Sequence, residues 1–273
     1  MGLSVSENVT EVMERLRSAA RKAGREPSEI TLVAVTKSVD VKEIREAISG
    51  GLRVFGENYI QEAREKVKKI RDKTKKWHFI GHLQKNKAKY AVELFDAIHT
   101  VDSVELAKEL NKRAKKPIDI LIQVNISGEK TKSGIKPVEL LKLVREVSGF
   151  ENLRLKGLMT MSPYLDSPEL SRPYYITLRR LAERVNRERI PGVFLHDLSM
   201  GMSNDYAVAI EEGATMVRVG TAIFGPRVVE KPEKKEAAAP VKKAPKAERP
   251  KAGEKPAKKT SKKTAKKAGP RPR

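Results

Sequence analysis

Eight short apolar segments, separated by amphipathic ones, constrain the fold of this chain more than any other feature. The segments predicted as strands are residues 31–36, 53–56, 77–81, 97–101, 119–126, 153–159, 194–199 and 216–220. The stretches between them carry apolar residues at helical spacing, which predicts intervening helices. Strands that alternate with helices favour a parallel α/β sheet, and eight strands in about 200 residues favour a single (β/α)8 barrel of the TIM type. A doubly wound open sheet shows the same alternation and is the alternative at this point.

Helix boundaries are also readable. Ser103 precedes VELAKEL as an N-cap, Pro137 opens the next helix, and Gly213 closes a later one. The N-terminal stretch SVSENVTEVMERLRSAARKAG is amphipathic and predicts a helix before the first strand. These local signals agree with the strand pattern, so we place the barrel in residues 1–229.

Composition changes abruptly after the predicted barrel. Residues 230–273 hold 17 Lys and Arg against 5 Glu, which accounts for +12 of the chain's net charge of +22. No large apolar side chain follows Val241. Such a segment buries too little apolar surface to offset its ordering entropy, so we predict a disordered basic tail. Clustered lysines favour non-specific binding of nucleic acid or another polyanion, and a solubilising extension is the alternative.

Several classes of protein are excluded by what the sequence lacks. There is no cysteine, so disulfides, thiolate metal sites and cysteine nucleophiles are excluded. No apolar run reaches the roughly 18 residues of a membrane span, and the N-terminus does not resemble a secretory signal. His78 and His82 are four apart on a predicted strand, where that spacing lacks the geometry of a helical metal pair. We therefore expect a cytoplasmic protein with no membrane association and no metal site.

Polar residues follow the predicted strands at their carboxyl ends, which form the working face of such a barrel. Lys37 ends the first strand, and the glycine-rich segments LSMGMSND and RVGTAIFG follow the last two. Loops in these places often hold a phosphate, here with hydroxyls of Ser203 and Thr221 and the charge of Arg218. A lysine facing a phosphate cradle suits a phosphorylated carbonyl compound, because the amine can form a Schiff base with the carbonyl. Pyridoxal 5′-phosphate (PLP) is the commonest such compound.

Seven segments together resemble the pyridoxal-phosphate homeostasis protein family in order and spacing. They are AVTK, FGENYIQE, WHFIGHLQKNK, QVNISGEKTKSGI, GLMTM, LSMGMSND and VRVGTAIFG. The resemblance runs from about residue 5 to Arg227 and does not include the basic tail. It implies a single barrel similar to the N-terminal domain of alanine racemase.

The resemblance also implies roles for individual residues. PLP is expected to be bound covalently at Lys37, with Asn58 near its ring and Lys132 at its phenolic oxygen. Arg218 is expected to bind the ring nitrogen. Because an arginine remains protonated, it does not give that nitrogen a proton, and the ring is then a weaker electron sink. The residues implied for the phosphate are Ser203, Gly220 and Thr221.

The function implied by the resemblance is intracellular PLP (vitamin B6) homeostasis without a strong turnover reaction. The chain passes from IFGPR into the tail, where a racemase has a second domain that supplies an opposing acid/base group and much of its dimer interface. This favours a carrier of PLP over an efficient racemase, a monomer over an obligate dimer, and PLP-dependent apo-enzymes as partners. Two alternatives are a weak racemase-like enzyme with His82 or Tyr59 opposite Lys37, and a nucleic-acid-associated protein that acts through residues 230–273.

Overall fold

The computed structural model describes residues 3–129 and 131–226. Its strands are β1 (Thr31–Val35), β2 (Val54–Glu57), β3 (Lys76–Phe79), β4 (Ala97–Val101), β5 (Ile118–Gln123), β6 (Leu153–Met159), β7 (Asp197–Met202) and β8 (Met216–Val219). Its α-helices are α1 (Val5–Lys22), α2 (Val41–Ser49), α3 (Ile60–Ile70), α4 (Ala88–Leu94), α5 (Val104–Arg113), α6 (Leu140–Val147), α7 (Arg172–Arg187), α8 (Tyr206–Glu211) and α9 (Thr221–Phe224). The predicted tail, residues 230–273, lies outside the described residues.

The eight strands form a closed parallel barrel in sequence order. Closure is made by β8 beside β1, where Thr31 pairs with Met216 and Ala34 with Val219. This pairing confirms the barrel and excludes the open sheet, which would leave two strand edges. Strand β4 is buried along its whole length, as expected of a strand covered on both faces.

Strand limits agree with the sequence for β4 and β6, but the prediction for the seventh strand was wrong by three residues. Residues 194–199 were predicted, and the strand is Asp197–Met202. Phe194 is exposed, and Leu195 exchanges two main-chain hydrogen bonds with the side chain of Asn186 instead of joining the sheet. The strand continues through Gly201, whose φ of 90° accompanies a break in register against β8. A glycine that looked like a loop residue is therefore part of a bulged strand.

The helix ends follow the expected chemistry in most places. Ser103 caps α5 by accepting from Leu106 N at 3.3 Å, as predicted. Pro137 opens a 3₁₀ turn, Pro137–Glu139, which leads into α6. Helix α1 begins with a capping box between Ser4 and Glu7. The contacts of Ser103 and of the Ser4–Glu7 pair satisfy backbone N–H groups that a helix start would otherwise leave without a partner, and Pro137 has no N–H to satisfy.

Helix α1 contacts helices from both the beginning and the end of the barrel. It packs against α2, α8 and α9, and its buried face includes Val9, Val12 and Leu16. Asn8 Nδ2 donates to the carbonyl of Ile223 at 2.9 Å, which ties the first helix to the last. Within the described ranges, no helix is long and apolar enough to cross a membrane.

Candidate functional site

A cavity of ≈ 270 Å³ opens among the residues that follow the carboxyl ends of the strands. It contains six of the seven residues predicted for the site: Lys37, Asn58, Ser203, Arg218, Gly220 and Thr221. These residues come from the ends of β1, β2, β7 and β8, far apart in the sequence. The apolar part of the lining is Val35, Ile80, Met161, Pro163, Leu165 and Met202. One cavity thus combines an amine, a buried guanidinium and apolar walls.

The barrel geometry explains why Lys37 reaches this cavity. Strand β1 is buried from Leu32 to Val35, Thr36 is also buried, and Lys37 is the first partly exposed residue after them. Ser38 then takes a left-handed conformation with φ 58°, which turns the chain away from the strand direction. The lysine therefore lies where the barrel interior meets solvent.

Asn58 follows β2 and is held close to the end of β3. Gly81 lies so near its main chain that a Cβ on Gly81 would overlap the Asn58 carbonyl and Cα. The Asn58 Oδ1 atom is buried and has no hydrogen-bond partner among the described residues. An unsatisfied buried amide oxygen is costly, so this atom marks a place where a polar ligand group can bind.

The turns after β7 and β8 form a cluster of donors. Ser203 Oγ accepts from the backbone N–H groups of Gly220 at 3.2 Å and Ala222 at 3.3 Å. The hydroxyl-bearing residues Ser203 and Thr221 both line the cavity at these turns. Hydroxyls at one end of an apolar cavity suit an anionic oxygen-bearing group such as phosphate.

Asp205 holds the first of these turns in place. The residue is buried, and its Oδ1 accepts from Met202 N at 2.7 Å while Oδ2 accepts from Ser162 Oγ at 2.9 Å. Ser162 also contacts the hydroxyl of Tyr175 at 3.1 Å. Burial is the main cause that raises the pKa of Tyr175, so this phenol remains protonated. Asp205 is the last residue of LSMGMSND, but its role in holding this turn was not predicted from the sequence.

Arg218 is buried beneath the cavity and fixed by two hydrogen bonds. Its Nη1 donates to Ser199 Oγ at 2.7 Å, and its Nη2 donates to the carbonyl of Thr160 at 2.8 Å. Burial lowers the pKa of Arg218 to about 10, partly opposed by Tyr175 and Asp205. The guanidinium is therefore still charged at neutral pH.

Two buried histidines extend this network into the barrel. His99 Nδ1 lies 2.9 Å from Ser199 Oγ, and His99 Nε2 lies 3.0 Å from His78 Nδ1. Burial lowers the pKa of His78 to about 4 and that of His99 well below its usual value. Both rings are thus neutral at pH 7. The sequence contained no signal for a chain of contacts that runs from His78 to Arg218.

Lys132 is the one predicted site residue that does not line the cavity. Its Nζ lies 2.9 Å from Glu129 Oε2, within the loop after β5. His82 and Tyr59, the candidate groups for a racemase-like alternative, line a different depression with Gln84 and Lys87. Among the described residues the cavity instead has Tyr164 at its edge, 89% exposed.

The residues present fit PLP by their chemistry. A lysine can bond an aldehyde, apolar walls suit a flat ring, and the donor-rich turns suit a phosphate. The unsatisfied Asn58 oxygen favours a ligand that offers a hydrogen-bond donor, and the hydroxyls of Ser203 and Thr221 suit an anionic group. In the described residues, no group of three or more His, Asp or Glu side chains is arranged to hold a metal ion.

Comparison with known proteins agrees with this chemistry. The family model described as alanine racemase, N-terminal domain, matches residues 8–228. The pyridoxal phosphate homeostasis protein of Aquifex aeolicus is 44% identical over 228 residues, which cover 82% of this chain and 99% of the relative. This chain belongs to the pyridoxal phosphate homeostasis protein family. The Escherichia coli member is 41% identical over 233 residues and is covered to 97% of its length.

Solved structures extend the likeness to three dimensions. PipY of Synechococcus elongatus, solved with PLP bound, has 36% sequence identity and a TM-score of 0.69. The match covers 78% of this chain and 100% of PipY. The similarity spans nearly the whole described barrel, so the family assignment rests on the fold as well as on the sequence.

Proposed function

We propose that this protein binds PLP covalently at Lys37 and serves intracellular PLP (vitamin B6) homeostasis. One observation carries the proposal: the Lys37 side chain shares a single cavity with the donor-rich turns at Ser203 and Thr221. Lys37 would hold the cofactor through a C=N bond between its amine nitrogen and the aldehyde carbon, with the aldehyde oxygen released as water. Bound PLP supplies an electron-withdrawing ring conjugated to that bond.

The other residues orient the cofactor. Ser203, Gly220 and Thr221 would hold the phosphate, with the hydroxyls of Ser203 and Thr221 as donors because the Gly220 N–H donates to Ser203 Oγ, and the apolar walls would hold the ring. Arg218 would donate to the ring nitrogen from a guanidinium that Ser199 and Thr160 keep in one position. Since this guanidinium keeps its proton, the ring nitrogen stays neutral and withdraws electrons weakly. This arrangement retains the cofactor and gives little help to carbanion chemistry.

A weak racemase-like activity is the alternative within the same cavity. It needs a proton-transfer group on the ring face opposite Lys37, and His82 and Tyr59 are absent from the described lining. Tyr164, at the cavity edge, is the remaining candidate. Exchange of the α-hydrogen of alanine for deuterium, measured with PLP-loaded protein and with its Tyr164→Phe variant, separates the two functions. Exchange no faster than with free PLP is expected for a carrier, and Tyr164-dependent exchange would favour the racemase.

Three further parts of the proposal concern the cell. We place the protein in the cytoplasm, as a monomer, with PLP-dependent apo-enzymes as the recipients of its cofactor. The barrel's relatives named for PLP homeostasis support this role.

Lys132 is proposed to approach the phenolic oxygen of PLP, which requires it to leave Glu129.

PLP titration tests the proposal directly. The full chain is expected to develop a visible absorption band that saturates at one PLP per protein. Lys37→Ala should abolish the band, whereas Lys42→Ala, which removes an exposed lysine on α2, should leave it unchanged. A band that persists in Lys37→Ala would refute Lys37 as the anchor.

A further inference from the structure

Lys66, on α3, is a buried lysine with all three ammonium protons engaged. Its side chain is 6% exposed, and its Nζ donates to Glu57 Oε1 at 2.8 Å and to Glu62 Oε1 at 2.6 Å. The third acceptor is the carbonyl oxygen of Thr36. An ammonium has three donors and no acceptor, so the hydrogen-bonding capacity of Lys66 is used completely.

These contacts reach both peptide groups that flank Lys37. The Thr36 carbonyl belongs to the peptide group before Lys37 and accepts from Lys66. The Ser38 N–H belongs to the peptide group after Lys37 and donates to Glu62 Oε1 at 2.5 Å. Since Glu62 is itself bound by Lys66, one ammonium organises the main chain on both sides of Lys37.

Glu57 completes the cluster from the end of β2. This carboxylate is fully buried, and its Oε1 also accepts from Thr36 Oγ1 at 2.6 Å. Burial raises the pKa of Glu57, opposed by the hydrogen bonds from Lys66 and Thr36. Its Oε2 is buried without a hydrogen-bond partner among the described residues. Two carboxylates share one buried cation, which makes Lys66 the centre of the cluster.

The backbone at Ser38 explains why such an anchor is useful. A φ of 58° is left-handed, a conformation that non-glycine residues adopt only at a cost. Ser38 is exposed, so packing of its own side chain does not hold it there. Two hydrogen bonds favour this turn over an extended continuation of β1: the Ser38 N–H donates to Glu62 Oε1, and the Val39 N–H donates to the Thr36 carbonyl at 3.0 Å.

We propose that Lys66 is a positioning residue that fixes the main chain of Lys37 so that its amine is presented to the cavity. This inference rests on the proposed function of Lys37. It goes beyond that function by assigning a role to a buried ion pair that does not touch the cavity. A purely structural pair would stabilise the barrel without any particular effect at Lys37.

The test combines two variants with a matched control. Lys66→Met alone leaves two carboxylates without their cation and can unfold the chain, so it is combined with Glu57→Gln to remove one charge. Glu62→Ala is the second variant, since Glu62 is partly exposed and its loss leaves the Lys66–Glu57 pair intact. Lys69→Met, which removes an exposed lysine from the same helix, is the control.

Two readouts are measured on the full chain. The first is amide hydrogen exchange at Ser38 in protein without PLP, by NMR, with thermal unfolding recorded to verify folding. The second is the rate at which PLP attaches to Lys37, followed by visible absorbance. We expect both variants to exchange Ser38 faster and to attach PLP more slowly, each by about tenfold or more, because small misplacements of reacting groups have effects of this size.

Each outcome decides the inference. The inference would be overturned if the Ser38 exchange rate and the PLP attachment rate of the two variants lay within about twofold of those of Lys69→Met. It would also be overturned if Ser38 exchanged faster while the PLP attachment rate stayed unchanged. If Lys66→Met/Glu57→Gln does not fold, the Glu62→Ala variant decides by the same two readouts. If the unmodified protein attaches no PLP to Lys37, the proposed function fails, while the Ser38 exchange still tests the backbone clamp.

Discussion

Arg218 donates from Nη1 to Ser199 Oγ at 2.7 Å, so a buried hydroxyl helps the Thr160 carbonyl to fix the charged group that lies beneath the cavity. The same hydroxyl contacts His99 Nδ1 at 2.9 Å. The buried network therefore runs from the cavity to the barrel interior through one oxygen atom. A buried charged donor that loses its acceptor is destabilising, which makes Ser199 a sensitive position.

Ser199→Ala is expected to lower the free energy of unfolding by about 1.5–3 kcal/mol, the range for a hydrogen bond to a charged group. Chemical denaturation measures the change, and PLP titration should show weaker binding because Arg218 is then held only by the Thr160 carbonyl. Ser148→Ala is the control, since that exposed hydroxyl bonds only the carbonyl of Arg145. Equal stabilities of the two variants would show that the Arg218–Ser199 contact contributes little.

The buried histidines predict a loss of stability in mild acid. The pKa of His78 is lowered by burial to about 4 in the folded protein, against about 6.5 in an unfolded chain. Below pH 6.5 the unfolded chain binds a proton that folded His78 does not, so the free energy of unfolding falls as the pH falls toward 4. Above pH 6.5 His78 is neutral in both states and adds no pH dependence. His99, with a pKa lowered in the same direction, adds to the effect.

The measurement is denaturant unfolding at pH 7 and at pH 5. Between pH 7 and pH 5, the free energy of unfolding of His78→Gln should fall by about 2 kcal/mol less than that of the unmodified protein, because the glutamine side chain does not titrate. His196→Gln removes a histidine that is 71% exposed and should behave like the unmodified protein. An identical pH dependence in all three proteins would contradict neutral burial of His78.

Gly81→Ala is expected to displace Asn58. A Cβ at position 81 overlaps the main chain of Asn58, and backbone atoms cannot move aside as a flexible side chain can. Overpacking of this kind typically costs about 1–3 kcal/mol. Gly149→Ala is the matched control, because the nearest atom to a Cβ there is Glu146 O at 3.8 Å. Thermal unfolding and PLP titration of both variants measure the effect, and two equally stable variants would contradict the close approach.

Deletion of residues 230–273 is expected to abolish retention on DNA while leaving PLP binding unchanged. These residues carry more than half of the chain's net charge of +22. The comparison is made at about 150 mM salt, where weak phosphate contacts of the barrel are screened. A shortened protein that retains DNA equally well would show that the tail is not the binding element.

The fold was predictable because periodicity and turn signals recur along the whole barrel. Strands β4 and β6 were predicted with their observed limits. The seventh strand was misplaced because Gly201 resembles a loop residue by composition, whereas in the barrel it lies in a bulge of β7 against β8 and packs closely against Ala209 and Tyr206 of α8. A single sequence does not distinguish these two uses of glycine.

The site was predictable to the extent that its residues lie at strand ends. Six of seven predicted residues line one cavity, but Lys132 pairs with Glu129, a contact set by the path of a loop. The buried Lys66 is a second residue whose contacts could be predicted only in part from the sequence. Its spacing to Glu62 is a readable i,i+4 helical pair, but its bond to Thr36 depends on where α3 lies relative to the end of β1. Such non-local contacts require the three-dimensional structure.

The most direct test of the account is borohydride reduction of PLP-loaded protein followed by peptide mass mapping. Reduction converts a C=N bond into a stable C–N bond, so the modified peptide identifies the lysine that held the cofactor. We predict loss of the visible band and one PLP-derived mass, located on Lys37. A mass spread over the lysines of residues 230–273, or no adduct at all, would contradict the central claim that this cavity binds PLP through Lys37.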